Sequence, residues 1–309
     1  MNWLKKDNII SLMKELVKVP GISGTENENM VVDKLKNILK RIDYFKNNPN
    51  NISLKQVKND KYNRKFVTAF LKGKKSSEKT IILLGHYDVV DISDYGKYKK
   101  YAFNPDKLTE LMKNDLVEEE NKEILKDIQQ GNYLFGRGTA DMKGGVAVQL
   151  ALLQYLSKRR EQLPGNILFL SVPDEETASK GMVSAVSFLN KFREKHNLDY
   201  KMVINCEPNF PAYPGDDNKY LYTGSIGKSL ILFYCIGKES HAGAPINGLN
   251  ANLISSEIVS LMEGNTNLTQ KNKKITTPPP TCLKQTDSKK LYSAKLPHKS
   301  YAYFNYSTF

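Results

Sequence analysis

Ile81-Ile82-Leu83-Leu84-Gly85-His86-Tyr87-Asp88 is the stretch on which the reading of this chain turns. Four consecutive apolar residues, with no polar alternate, fit a strand covered on both faces, as in the centre of a parallel sheet. They run straight into a glycine, an imidazole and a carboxylate. The same pattern returns twice. Residues 167–172 are apolar and lead into Pro173-Asp174-Glu175-Glu176, and residues 202–206, read as a third short buried strand, lead into Glu207-Pro208. In an open α/β sheet, ligands bind beyond the carboxyl ends of the strands. One histidine and several carboxylates, far apart in sequence, would therefore meet in one crevice.

The flanking sequence supplies the rest of such a sheet. Residues 3–17 place Leu4, Ile9, Leu12, Met13, Leu16 and Val17 at approximately helical spacing, and Pro20-Gly21 ends the run. Residues 30–42 repeat the helical pattern, and residues 66–71 read as a strand. Helices are expected at 146–156 and 181–195. The order strand, helix, strand, helix, strand implies right-handed crossovers and a mainly parallel sheet with helices on both faces. Residues 91–132 are polar and charged, an inserted surface excursion with a helix between 106 and 130. Around residues 211–219 the texture turns to Pro, Gly and Asp, which sets a boundary: one α/β domain over 1–215 and an α+β domain over 216–309. The second domain has strands at 230–236 and 301–309, a helix at 251–263, and a polar, Pro-rich segment at 264–300. No internal repeat is present.

Composition narrows the function. The chain has 309 residues, 40% hydrophobic and 10% aromatic, enough to bury a core, which excludes a wholly disordered chain. No apolar stretch reaches the roughly 18–20 residues of a membrane span. The start of the chain soon runs into charges and lacks a secretory signal pattern. Cys206, Cys235 and Cys282 are too widely spaced for a disulfide framework or a metal knuckle. The chain reads as cytoplasmic. Its formal charge of +13 is scattered through Lys/Asn-rich connections, with no basic stripe or aromatic platform, so neither nucleic acid nor membrane is expected as a partner.

One neutral imidazole with several carboxylates suits zinc, with cobalt or manganese as alternatives. Four or five carboxylates in one crevice need cations to offset their repulsion, which argues for two metal ions with a carboxylate between them. Two metals about 3.5–4 Å apart can hold a hydroxide and polarise a carbonyl together. Adjacent Glu175 and Glu176 cannot point the same way, so one can ligate while the other acts as general base. Taken singly, each piece has a blander reading: His-x-Asp as a structural pair, Glu-Glu as a solvated helix start. Gly136-Arg137-Gly138-Thr139-Ala140-Asp141 is not a dinucleotide fingerprint, because Asp141 stands where the third glycine would be and would repel a pyrophosphate. The joint occurrence, in order and at strand ends, is the specific signal.

At these residues the chain resembles the dinuclear zinc amidohydrolases and metallopeptidases that include aminoacylases, carboxypeptidase G-type enzymes, aminotripeptidases and succinyl-diaminopimelate desuccinylase. The matching segments are Gly85-His86-Tyr87-Asp88-Val89-Val90, Gly136 to Gly145 (GRGTADMKGG), Asp174-Glu175-Glu176, Cys206-Glu207-Pro208 and Ser240-His241-Ala242-Gly243. The excursion at 91–132 and Pro278-Pro279-Pro280-Thr281-Cys282 look like the arginine-utilisation (RocB-type) branch.

The resemblance implies a metal-dependent hydrolase of a peptide or N-acyl amide bond in a small substrate, working through a metal-bridging hydroxide. It makes residues 1–215 the metal-binding catalytic domain and 216–309 a lid and dimerisation domain. His86 and Glu207 would bind one metal, Glu176 the other, and Asp141 would bridge the two. Asp88 would orient His86, and Glu175 would be the general base. His241 would reach the partner's active site in a lid-mediated homodimer and stabilise the oxyanion. The family also implies a further part of the catalytic domain, after the lid, that supplies a last histidine ligand. Neither His298, in a polar segment, nor His196, in a charged helix tail, is assigned that role. The expectation is therefore an interrupted lid and little activity from these 309 residues alone. The competing expectation is an inactive remnant or binding protein on the same scaffold.

Overall fold

The computed structural model describes residues 3–75, 77–115, 122–211, 213, 215–273 and 275–309. Two compact units are present, Met1–Asp216 and Asp217–Phe309. The first is built on a five-stranded sheet of β1 (Ile52–Gln56), β2 (Lys65–Leu71), β3 (Lys79–His86), β4 (Asn166–Val172) and β5 (Asp199–Asn205), in the order β1-β2-β4-β3-β5. β3 lies parallel to both β4 and β5, while β2 pairs antiparallel with β1 and β4. The parallel trio, whose carboxyl ends carry the ligand-type residues, stands as expected. The β1–β2 hairpin adds an antiparallel margin that the polar sequence Ile-Ser-Leu-Lys-Gln did not announce.

The helices of this unit are α1 (Lys6–Val17), α2 (Glu28–Leu39), α3 (Asp43–Asn47), α4 (Pro105–Asp115), α5 (Lys122–Gln130), α6 (Lys143–Ser157) and α7 (Lys180–His196). The expected helix between 106 and 130 is thus two helices, α4 and α5; its residues 116–121 lie outside the described residues. Strand side chains alternate between faces. Val67, Ala69, Leu71, Leu83, Ile167 and Phe169 pack on one side with α1, α2 and α6. Phe66, Phe70, Ile82, Leu168, Leu170 and Val172 pack on the other side with Ala185 and Leu189 of α7. Both faces of the central strands are therefore covered, the condition under which β4 is buried along its whole length.

One expectation about burial is corrected. β5 is not a buried strand but an edge strand, with Met202 56%, Val203 54% and Ile204 36% exposed. Its apolar run is the same in sequence as that of a central strand, and only its position at the sheet margin separates the two.

The second unit has β6 (Gly227–Ile236), α8 (Ala251–Met262), a short pair β7 (Lys271–Asn272) and β8 (Ile275–Thr276), β9 (Thr281–Asp287) and β10 (Lys299–Thr308). β10 lies between β6 and β9, antiparallel to both, and α8 packs on this sheet through buried Ala251 and Ser255. The Pro-rich segment therefore contributes a full strand, β9. Among the described residues, no helix is long and apolar enough to cross a membrane.

Candidate metal centre

β3 ends at His86, which is buried, and the chain turns immediately so that Asp88 is buried behind it. His86 Nδ1 lies 3.0 Å from the carbonyl oxygen of Asp88 and 3.5 Å from its carboxylate Oδ1. The closer contact is to main chain, so the carbonyl of Asp88 fixes the ring first and its carboxylate second. With Nδ1–H engaged there, Nε2 is aimed into the crevice.

Around Nε2 stand Asp141 Oδ1 at 2.9 Å, Glu207 Oε2 at 3.7 Å and Glu175 Oε2 at 3.9 Å. Asp141 comes from the turn before α6, Glu175 from the turn after β4 and Glu207 from the end of β5. Three residues, His86, Asp141 and Glu207, each offer one ligand atom, and those atoms all lie within 4.8 Å of one another. Such a donor set of one imidazole and two carboxylates fits a divalent cation of the zinc type.

The Asp88 carboxylate holds the loops of the site together. Oδ2 accepts from Ser23 Oγ (2.5 Å) and from the backbone N–H of Glu176 (3.2 Å), and Oδ1 accepts from the N–H of Glu175 (3.1 Å). Glu175 lines a cleft with His86, Asn205 and Glu207, whereas Glu176 lines another with Asp141, Arg137 and Phe210. The two adjacent glutamates thus serve different clefts. Glu176 is not among the three residues that share one cation-sized point. His241 belongs to the second unit, where it is exposed and its Nδ1 accepts from the N–H of Gly243 at 3.1 Å.

The electrostatics are those of a carboxylate cluster with little countercharge. Burial disfavours the imidazolium of His86, yet Asp141, Asp88 and Glu207 around it push its pKa up to about 12. Burial raises the Glu175 carboxyl, opposed by His86 and reinforced by Glu207, Asp88 and Asp141. Glu176 is raised in the same way, by burial and then by Asp141. Asp141 is held below the ordinary range by its bond from His86. Asp88 is also held low: the bonds it accepts outweigh its burial. A proton on the imidazole places a positive charge among these carboxylates, and a divalent cation at Nε2 would replace it with more charge.

Sequence reasoning did not single out three further buried polar residues. Lys143, at the start of α6, is fully buried, donates to the Val19 carbonyl at 2.7 Å, and is lowered by that burial to about 7. Arg64 and Glu28 are buried beside the Asp174–Glu176 turn. The sequence carries no signal for the last two: Arg64 reads as a surface charge before apolar β2, and Glu28 as an ordinary acid at the head of α2.

An open α/β sheet with an imidazole and carboxylates gathered beyond its parallel strand ends defines a protein of the α/β class with a candidate metal site. The chain belongs to the Peptidase family M20/M25/M40, whose family model matches residues 82–279. It is 42% identical over 307 residues to the protein YqjN of Bacillus subtilis (strain 168), covering 99% of this chain and 54% of that protein. It is 37% identical over 299 residues to the protein RocB of the same strain, covering 97% of this chain and 52% of that protein. The chain therefore spans about half the length of these curated relatives. In fold it is similar to the M20 family metallo-carboxypeptidase Sso-CP2 of Sulfolobus solfataricus. That match has a TM-score of 0.62 and 16% identity, over 98% of this chain and 71% of that one.

Proposed function

We propose that this chain carries the metal centre of a hydrolase that cleaves a peptide or N-acyl amide bond in a small substrate. The observation that carries the reading is the His86–Asp141–Glu207 donor set with the Glu175 carboxylate 3.9 Å from the same imidazole nitrogen. His86, Asp141 and Glu207 would hold one divalent cation, and Asp141 with Glu176, which share a cleft, would serve a second. Zinc suits this donor set, with cobalt or manganese as alternatives. When bound, such cations supply Lewis acidity to a water molecule and to the scissile carbonyl.

The protein's own residues do the rest. Asp88 fixes the His86 ring through its carbonyl and holds the Glu175 and Glu176 amides through its carboxylate. Glu175, raised by its half-buried, acidic surroundings, is suited to take a proton on its carboxylate from the attacking water and deliver it to the leaving nitrogen. Residues 1–215 would form the catalytic domain and 216–309 a lid that pairs with a second copy in a cytoplasmic homodimer. Within that lid, edge strand β6 exposes Leu230, Leu232, Tyr234 and Ile236 on one face. His241 would donate to the oxyanion in the partner's site. The similarity to RocB supports a substrate connected with arginine utilisation.

The test is a cobalt(II) titration of the purified chain followed by visible absorption, then assay of cobalt- and zinc-loaded protein on N-acyl amino acids and dipeptides. The reading expects tight binding that is lost in Asp141→Ala, and, in wild type, the low turnover expected of these 309 residues alone, which Glu175→Gln abolishes while metal binding is kept. Undiminished binding in Asp141→Ala would place the metal elsewhere.

A further inference from the structure

Behind the metal centre lies a second, wholly buried charge cluster that does not face the crevice. Arg64 stands between β1 and β2 with its guanidinium shared among three acids. Nε and Nη2 donate to Asp60 at 2.6–3.1 Å, and Nη1 donates to Glu28 Oε1 at 2.7 Å and to Asp174 Oδ1 at 2.6 Å. All four residues are buried. Burying an arginine together with three acids is costly, and a structural ion pair alone would be matched by an apolar packing of similar volume. The cluster therefore calls for another account, and its connections supply one.

Both acids bound by Nη1 lead directly to the loops around Asp88. Glu28 Oε1 also accepts from the N–H of Gly24, next to Ser23, and Oε2 accepts from the N–H of Asp174, next to Glu175. Ser23 Oγ and the Glu175 and Glu176 amides are the donors that converge on the Asp88 carboxylate. Asp174 itself has a left-handed backbone, φ +67°, which a non-glycine residue adopts at a cost unless its surroundings enforce it. The enforcement is visible. Its Oδ1 accepts from Arg64 and from Thr177 Oγ1 (2.6 Å), its Oδ2 from the N–H of Lys180 (3.0 Å), and its carbonyl from the N–H of Ser179 (2.6 Å).

We infer that Arg64 is a positioning residue for the Asp174–Glu176 turn: through Asp174 and Glu28 it fixes where the two glutamate side chains start. This rests on the proposed function in one respect, that Glu175 and Glu176 are the acting carboxylates. The planar fork matters as much as the charge, because three acids lie around it in different directions. A lysine ammonium would keep the charge and could not serve all three.

The test compares the metal-free wild-type chain with Arg64→Lys and Glu28→Gln, using amide hydrogen exchange and amide proton shifts. In Arg64→Lys the amides of Glu175, Glu176, Ser179 and Lys180 should exchange about tenfold faster or more, as expected for loss of a hydrogen bond between charged groups. Amides of β3 and β4 should change by less than about twofold. The Glu175 and Glu176 amide protons, shifted downfield by the Asp88 carboxylate, should move upfield, a change that a loss of global stability alone does not produce. Glu28→Gln, which keeps the volume and loses one acceptor oxygen, should add Gly24 to the affected amides. A uniform acceleration throughout the sheet, or unchanged exchange and shifts in the turn, would overturn the inference. Neither readout needs metal or substrate. A chain that binds no metal but shows the local response would sink the functional reading and leave this one standing.

Discussion

Asp88→Asn isolates the residue that ties the metal centre together. The substitution keeps the shape of a fully buried side chain and replaces one acceptor oxygen with an NH2 group. Each Asp88 oxygen accepts a backbone N–H, and Oδ2 also accepts the Ser23 hydroxyl, so whichever way the amide is turned, at least one N–H is left facing a donor. A lost bond to a charged group costs about 1.5–3 kcal/mol. At roughly 2–4 °C per kcal/mol for a unit of this size, the midpoint of metal-free thermal unfolding should fall by about 3–12 °C. Asp88 has its folded pKa held below the ordinary value of 3.8, so its contribution is present above that value and is lost as pH falls through the folded pKa. The gap between wild type and variant should therefore be full at pH 7 and should close in acid below pH 4. Urea unfolding of both proteins across that range checks this. A midpoint change under about 1 °C at pH 7, or a gap that persists unchanged in acid, would refute the assignment of Asp88 as an ionised acceptor.

Three other outcomes follow from the same geometry. Metal binding must displace the proton that the acids hold on His86, whose pKa is pushed up to about 12, so apparent cobalt affinity should rise about tenfold per pH unit from pH 7 to 9. Isothermal titration would contradict this if affinity levelled off above pH 7, as an ordinary imidazole would dictate. Gly145→Ala would place a Cβ 2.1 Å from the carbonyl oxygen of Cys206, and backbone cannot yield as a side chain does. A loss of about 1–3 kcal/mol or more by urea unfolding is expected, and a neutral result would mean the contact between α6 and the end of β5 is looser than the structure has it. Glu175→Gln should leave cobalt affinity within a factor of about two and reduce amide hydrolysis by about 10²–10⁴-fold in loaded protein; a turnover rate within tenfold of wild type would remove Glu175 as proton carrier.

How much of this was legible in the sequence depends on whether a feature is local. The apolar runs of β3 and β4, and the polar residues that follow them, are local, and a parallel sheet brings its strand ends together by geometry. That geometry brings His86 and Glu207 together, Asp141 was legible through the family resemblance of its glycine-rich turn, and one ligand atom of each lies within 4.8 Å of the others. β1 and β9 were not legible, because the alternation in Ile-Ser-Leu-Lys-Gln spans only two apolar residues and Thr-Cys-Leu-Lys-Gln-Thr-Asp is mostly polar, and antiparallel partners set them as strands. The burial expected of residues 202–206 failed for the complementary reason: an apolar strand shows its composition but not whether a neighbour lies beside it. Arg64, Glu28 and Asp174 were invisible as a group. Their partners are 36 and 110 residues apart in sequence, and a charged residue in a chain with this many reads as surface until its contacts are known.

The central claim is that the carboxyl ends of β3 and β5, with the turn before α6, assemble one cation site from His86, Glu207 and Asp141. The most direct measurement is the metal content of the purified chain after dialysis against a weak chelator, by elemental analysis, beside Asp141→Ala. The account predicts at least one zinc-type divalent ion per wild-type chain and its loss in the variant, with the far-ultraviolet circular dichroism of the two unchanged. A wild-type chain that retains no metal, or a variant that retains as much as wild type, would contradict it and favour a scaffold that binds without catalysing.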